Sequence, residues 1–348
     1  MLKKSEETAE KYVLNRKILY PGRSPAMRLN ISITSAQNDV KRSAFSIWFQ
    51  AVRFHFVPPS FLPAILCGVI GWSRLGVFDL PSFLLVIAGV TINHFGLNML
   101  DDVFDYRHAV DYVGGAEKNP YTGGSGVLTE GLLSTRQMLA AVVVCFAVTA
   151  AIGFYLAFIK GWPVVVLGMF GLFCSIFYTV PPIKFGYRGL GELSMIVNFG
   201  PVIGLGSYYV QTREFSAEPL LVSLVLGFMM WSMLIINEIP DYEADRRGQK
   251  WNLVARFGKK TGVVLYIAGL SVSYAIIIAS VAIRVAPFPV LLGLATLPLA
   301  LKSILILKKH SSDGLKMAPA NISMIKVHFL TGLSLICGYI LDGILNSF

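Results

Sequence analysis

The chain has 348 residues, 55% of them hydrophobic and 14% charged, with a mean hydropathy of +0.63. A soluble domain carries roughly 25% charged residues, so this composition excludes one and predicts a polytopic membrane protein. The net charge of +10 calls for no nucleic-acid partner, because basic span flanks facing anionic lipid give the same excess.

Residues 1–50 read as a polar, basic arm, with Lys3, Lys4, Lys11, Arg16, Lys17, Arg23 and Arg28 and no signal-peptide core after Met1. Near its end Phe45, Trp48 and Phe49 interleave with Arg42 and Arg53, a pattern that fits an interfacial helix over Ala44–Phe56. Residues 51–348 form the predicted transmembrane domain. Apolar runs near the ~20 residues that a bilayer-crossing helix needs fall at 57–76, 80–100, 137–159, 163–181, 190–210, 219–237, 262–283, 286–306 and 327–346. The expected fold is therefore an all-α, polytopic bundle of about nine transmembrane helices, the first made irregular by Pro58, Pro59 and Pro63. With a cytoplasmic N-terminus, all of the 30 Lys and Arg except Arg74, Lys160, Arg213 and Arg284 lie on the cytoplasmic side. The two acidic clusters fall on that side too, so a cavity built from them faces the cytoplasm from the cell's inner (plasma) membrane.

The first cluster, Asn98-x-x-Asp101-Asp102-x-x-Asp105 with Asp111 beyond it, directly follows an apolar run. On a helix Asn98, Asp102 and Asp105 stand at i, i+4 and i+7 and share a face, with Asp101 beside them. Such a face repels itself without a cation, and hard oxygen donors suit Mg²⁺, which completes its shell with phosphate oxygens. A solvated acidic loop is the plain alternative. His94 lies one turn before Asn98 and His108 lies inside the cluster; either is a candidate base, though a lone His is more often structural.

The segment Tyr121–Gly131 is glycine-rich and reads equally as an anion cradle or a flexible turn. After Pro181 and Pro182 come Lys184 and Arg188, candidate diphosphate ligands or ordinary basic flanks. Within the next span Asn198 is expected to face a pocket, because lipid cannot satisfy an amide. Tyr208 and Tyr209 fit an interface position.

The second cluster repeats the first. Asn237, Asp241 and Asp245 are spaced i, i+4, i+8, and Arg246 and Arg247 follow at once. Two acidic faces meeting across a bundle would hold two Mg²⁺ ions bridging a diphosphate, and this pairing favours chemistry over solvation. The four cysteines, Cys67, Cys145, Cys174 and Cys337, sit singly in apolar spans and read as packing residues.

Asn98-x-x-x-Asp102-x-x-Asp105 with Asp111, and Asp241-x-x-x-Asp245, resemble the two aspartate-rich motifs of the UbiA-type intramembrane prenyltransferases. The similarity extends through Tyr178–Lys184, Gly189–Glu192 and Gly206–Thr212 and covers roughly residues 50 to 345. Asn237-x-x-Pro-Asp241-x-x-x-Asp245-Arg246 looks most like the 1,4-dihydroxy-2-naphthoate prenyltransferases of menaquinone synthesis. Two departures stand out. Gly126–Gly131 replaces an Arg-Pro-x-Pro-x-Gly run, which removes one diphosphate-binding Arg. Gln249-Lys250-Trp-Asn252-Leu253 replaces Gly-Lys-Arg-Thr-Leu and keeps only the lysine and leucine.

The resemblance implies Mg²⁺ held by Asn98, Asp101, Asp102, Asp105, Asp241 and Asp245, of which Asp102, Asp105, Asp241 and Asp245 are catalytic. It implies substrate binding by Asn98, Asp111, Lys184, Arg188, Asn198, Asn237, Arg246 and Lys250, and transfer from an isoprenyl diphosphate to an aromatic acceptor beside membrane lipid. Rival expectations are another acceptor, such as a tetrapyrrole or a glyceryl phosphate lipid precursor, or a cation-coupled transporter. The clustering of acidic groups at one membrane face favours a one-sided enzyme over transport.

Overall fold

The computed structural model describes residues 42–108, 119 and 121–346. Asp111 and most of the arm expected at 1–50 lie outside them. The long helices all lie within Ile47–Phe348.

Every described element is helical. In chain order these are α1 (Ala44–Ala51), α2 (Pro58–Leu75), α3 (Leu80–Arg107), α4 (Thr135–Lys160), α5 (Pro163–Phe177), α6 (Gly191–Thr212), α7 (Ala217–Arg247), α8 (Leu253–Phe257), α9 (Lys259–Ala282), α10 (Phe288–His310) and α11 (Gly314–Leu345). Among the described residues seven helices, α3, α4, α6, α7, α9, α10 and α11, are long and apolar enough to cross a bilayer. The segments Ala44–Phe56 and Pro58–Leu75 pass that test only together and are bent by 55°. At 15 residues α5 is shorter. Each apolar run seen in the sequence falls on a helix, but the helices outrun the apolar runs: α3 and α7 carry both acidic clusters on their own last turns.

Local chemistry sets the boundaries. Asp79 caps α3 by accepting from Ser82 N–H, and Ser134 with Gln137 forms a capping box at the start of α4. In α6 the α-helical pattern gives way to a π turn over Asn198–Val202, where Pro201 supplies no N–H. At that level α6 lies against α7: a Cβ on Gly227 would stand 2.5 Å from the Ile196 carbonyl oxygen.

The main core joins α2, α7, α9, α10 and α11 through buried Leu62, Leu66, Ile70, Leu226, Met229, Tyr266, Leu307 and Tyr339. A second core, with Met99, Val103, Val127 and Met138, fastens the turn at 127–133 between α3 and α4. Outward-facing Phe158, Val143 and Leu305 are exposed, as a lipid-facing surface requires. Two ionic clusters tie the end of the bundle remote from the acidic motifs. Arg74 pairs with Glu218 at 2.7 Å and Asp342 at 2.8 Å, with Tyr339 donating to Glu218; Lys160 pairs with Asp79 at 2.6 Å.

Candidate active site

The last turns of α3 and α7 face one cavity of about 370 Å³, lined by Asn98, Asp101 and Asp105 from one helix and by Asn237, Glu238, Asp241 and Asp245 from the other. Its inner wall is apolar, with Leu97, Phe199, Met230, Met233 and Leu234. The two clusters of the sequence are thus one site.

Cations reach it from outside both helices. Beyond α7, Gln249 adopts φ 58 and the Lys250 N–H donates to the Asp245 carbonyl at 2.8 Å, a tight turn that points the lysine back into the cavity. Its Nζ lies 2.8 Å from Asp105 Oδ2 and 3.7 Å from Asp101 Oδ1. Burial works against the Lys250 ammonium, but Asp101, Asp105 and Asp245 outweigh it and hold its pKa well above the ordinary lysine range. Arg53, at φ 50 just after α1, donates to Asp102 Oδ1 and lies 4.0 Å from Asp101 Oδ2.

The carboxylates are held as well as paired. Asp105 Oδ1 accepts from the Tyr187 O–H at 2.6 Å; burial and the adjacent Asp105 charge push the phenol far above its usual range, so it stays a donor. Asp245 Oδ2 accepts from Asn252 Nδ2 at 2.7 Å, while Asn252 Oδ1 caps α8 at Ala255 N–H. Glu192 accepts from Leu253 N–H at 2.5 Å. The glycine-rich segment supplies backbone donors, Gly123 N–H to Asp241 Oδ2 at 2.8 Å and Ser125 N–H to Asp102 Oδ2 at 3.1 Å. It is therefore a clasp on the aspartates. An amide chain, Asn119 to Asn321 to Asn237, runs in from α11.

Several expected residues stand elsewhere. Asp102 is buried and spends both oxygens on Arg53 and Ser125, outside the cavity lining. Lys184 lies 2.9 Å from His108 Nε2 and over the Tyr187 ring, one layer out from Asp105. Arg188 is exposed, and Arg246 stacks on Tyr242 and Trp251 away from the cavity. Asn198 lines a second, apolar cavity. Asn98, by contrast, lines the cavity while its Nδ2 donates to the Val52 carbonyl at 3.0 Å. Arg53, Tyr187, Glu238, Asn252, Asn119 and Asn321 escape a reading of the site from sequence; only the recurrence of amides and cations near span ends hints at them.

The donor set fits a hard divalent cation. It consists of carboxylate and amide oxygens, and Asp101 Oδ1 is buried without a hydrogen-bond partner. Among the described residues no three His, Cys, Asp or Glu side chains form a ready metal shell, so an ion here would draw much of its coordination from phosphate oxygens and water.

Opposed carboxylate faces, buried cations and an apolar inner wall thus meet in one cavity of a polytopic bundle. The chain belongs to the UbiA prenyltransferase family, whose profile matches residues 61–325, and it is a prenyltransferase. It is 25% identical to the 1,4-dihydroxy-2-naphthoate octaprenyltransferase of Bacillus subtilis (strain 168), over 67% of this chain and 73% of that protein. It is 23% identical to the 2-carboxy-1,4-naphthoquinone phytyltransferase of Synechocystis, over 84% of this chain and 92% of that one. The fold is shared with a UbiA homolog from Archaeoglobus fulgidus solved bound to GPP and Mg²⁺, with a TM-score of 0.55 and 14% identity, covering 84% of this chain and 100% of that chain.

Proposed function

We propose that this protein transfers an isoprenyl group from an isoprenyl diphosphate to a hydroxylated aromatic acceptor of the naphthoate type in quinone synthesis, with Mg²⁺, at a site open to the cytoplasm. One observation carries the reading: Asp101, Asp105, Asp241 and Asp245 line a single cavity whose other wall is apolar. Bound Mg²⁺ would supply charge neutralisation of the diphosphate from Asp101, Asp105, Asp241 and Asp245.

The chain's own residues do the rest. Lys250, Arg53 and the amide of Asn237 donate toward phosphate oxygens that gain charge as the allylic C–O bond breaks and its electron pair leaves with the diphosphate. Phe199, Met230 and Met233 exclude the water that would quench the allylic cation. A ring carbon of the acceptor gives its π pair to form the new C–C bond, and once the cation is captured the proton on that carbon leaves to a base or to water. Tyr187 holds Asp105, and Asn252 holds Asp245, in the orientations this demands. The activities for which these relatives are named support a naphthoate acceptor. The positive excess around the acidic end supports a cytoplasmic opening in the inner membrane.

The test is product mass spectrometry with purified protein, prenyl diphosphates of several lengths and a panel of acceptors, in Mg²⁺ and in EDTA. Prenylated naphthoate formed only with divalent metal is expected. Product from a tetrapyrrole or glyceryl phosphate alone would remove the acceptor assignment, and full turnover in EDTA would remove the metal.

A further inference from the structure

His94 lines the acidic cavity and takes no part in the mechanism above. It stands on α3 one turn inward of Asn98 and two turns inward of Asp101, about 10 Å from the level of Asp101 at 1.5 Å of rise per residue. The residue is 4% exposed. Its ring is held from two sides: Ser60 Oγ of α2 lies 2.6 Å from Nδ1, and Phe199 of α6 stands edge-on with 5.0 Å between ring centroids. The other ring nitrogen is open. Both nitrogens of His328, deep in the main core, are sealed and unpartnered, whereas Nε2 of His94 has no hydrogen-bond partner among the described residues yet is not sealed. His94 lines this cavity and not the apolar one that Asn198 lines, so the open surface of Nε2 is cavity surface.

Ser60 decides what that nitrogen presents. A buried hydroxyl needs an acceptor for its proton, and His94 Nδ1 is the partner that Ser60 Oγ has. Ser60 therefore donates to Nδ1, and the neutral imidazole carries its hydrogen on Nε2. A protonated ring gives the same result, since both nitrogens then donate. His94 is thus a donor toward the cavity and not the base that its place beside the first cluster suggests. Phe56, Leu97, Phe199 and Met230 make the nearby wall apolar, and an N–H there is costly to leave unmade. The isoprenyl chain is hydrocarbon and carries no lone pair. The diphosphate has Lys250 and Arg53 at the level of the aspartates. An oxygen on the acceptor ring is the remaining partner, with apolar walls for the ring itself.

We propose that His94 binds the aromatic acceptor: its Nε2–H donates to a ring oxygen and so turns the neighbouring ring carbon toward the allylic carbon, with Ser60 as the positioning residue that orients the donor. The proposal rests on the prenyl-transfer reading above for its purpose. It makes the site selective for oxygenated rings. Its test is a binding measurement that needs no turnover.

Full-length protein in detergent, under reductant, is titrated with 1,4-dihydroxynaphthalene and with 1,4-dimethylnaphthalene, which keeps the shape but offers no lone pair. Comparing the preference for the diol between wild type and a variant cancels the hydrophobic part of binding. His94→Leu is expected to cut that preference about three- to tenfold, the fold-change of one neutral hydrogen bond, and to leave the Kd of a prenyl diphosphate with Mg²⁺ within about twofold. His94→Gln, which keeps an N–H donor, should restore most of the preference, a rescue that a packing role alone would not give. An undiminished preference in His94→Leu would overturn the proposal. So would an equal weakening of the prenyl diphosphate, which would give the donor to phosphate. If His94→Leu does not fold, wild type labelled with ¹⁵N-histidine decides: the diol, and not its dimethyl twin, should move the signal of a ring protonated at Nε2, and no movement would overturn the proposal. Absence of turnover with every acceptor, beside the expected loss in His94→Leu, would remove the transfer reading and leave the ring site standing.

Discussion

Lys250→Met keeps the length of the side chain and deletes its charge. In the structure that charge sits 2.8 Å from Asp105 Oδ2 and 3.7 Å from Asp101 Oδ1, with the lysine side chain only 12% exposed. Its pKa is raised in the folded protein, against burial, by Asp101, Asp105 and Asp245. A group of this sign contributes its stability in full below its unfolded pKa, about 10.4, and loses it only as pH climbs through the higher folded value. Neutral pH therefore reads the whole effect. Stripping a buried carboxylate of its counter-charge costs about 3–5 kcal/mol, which at roughly 2–4 °C per kcal/mol lowers Tm by roughly 6–20 °C. Lys250→Arg, which keeps the charge, should lose far less. A divalent cation at 100 times its Kd returns about 2.7 kcal/mol. On the proposed metal site, Mg²⁺ should thus raise the Tm of Lys250→Met more than that of wild type, where the lysine competes for the same oxygens. The assay is tryptophan-monitored unfolding in detergent with EDTA or Mg²⁺. A variant melting within about 2 °C of wild type in EDTA would refute the reasoning, because the carboxylates would then need no partner.

Asp79, whose pKa is drawn down to about 2 chiefly by the hydrogen bond from Lys160 and then by Ser82, should stabilise the bundle above about pH 4 and lose that contribution as pH falls toward 2. The Tm gap between wild type and Asp79→Asn should be flat near neutrality and close in that acidic window. Gly227→Ala drives a Cβ to 2.5 Å from the Ile196 carbonyl and should cost about 1–3 kcal/mol by thermal unfolding; Gly168→Ala, with nothing within 4 Å, should be neutral or better. On the proposed orientation a cysteine at exposed Gln249 reacts with an impermeant thiol reagent only in opened cells, whereas one at exposed Glu214 reacts in intact cells. The reverse pattern would invert the topology.

The parts of the site that obey a local rule are readable from sequence. Helical spacing puts Asn237, Asp241 and Asp245 together on α7, because four-residue steps share a face whatever the rest of the chain does, whereas on α3 the expected face of Asn98, Asp102 and Asp105 is one position off: Asp101 lines the cavity with Asn98 and Asp105, and Asp102 turns to Arg53 and Ser125. Contacts across the bundle have no such rule. Asn321 meets Asn237 across 84 residues, and Arg74 meets Glu218 across 144; neither pairing leaves a trace in periodicity. Arg53 looks like the flank of an interfacial helix, and only its left-handed backbone turns it toward Asp102. Lys184 and Arg188 are marked in the sequence by charge and side of the membrane, which fix depth but not direction. The start of α11 at Gly314 is hidden because hydropathy marks what meets lipid, and Lys316, Pro319 and Lys326 lie on a helical stretch ahead of the apolar run.

The clasp formed by Gly123 and Ser125 also fixes a length. Their amide nitrogens are two residues apart and so separated by at most about 7 Å. One donates to Asp241 at 2.8 Å and the other to Asp102 at 3.1 Å, which confines those carboxylate oxygens to within about 13 Å of each other. The short turn is thus a spacer gauge between two long helices, pinned from behind where Gln50 Nε2 donates to the Ser125 carbonyl at 2.7 Å. Neither helix end can drift outward past that bound without breaking a bond to the same few atoms, so the turn adds its own limit on the spacing of the aspartates to the one that helix packing sets.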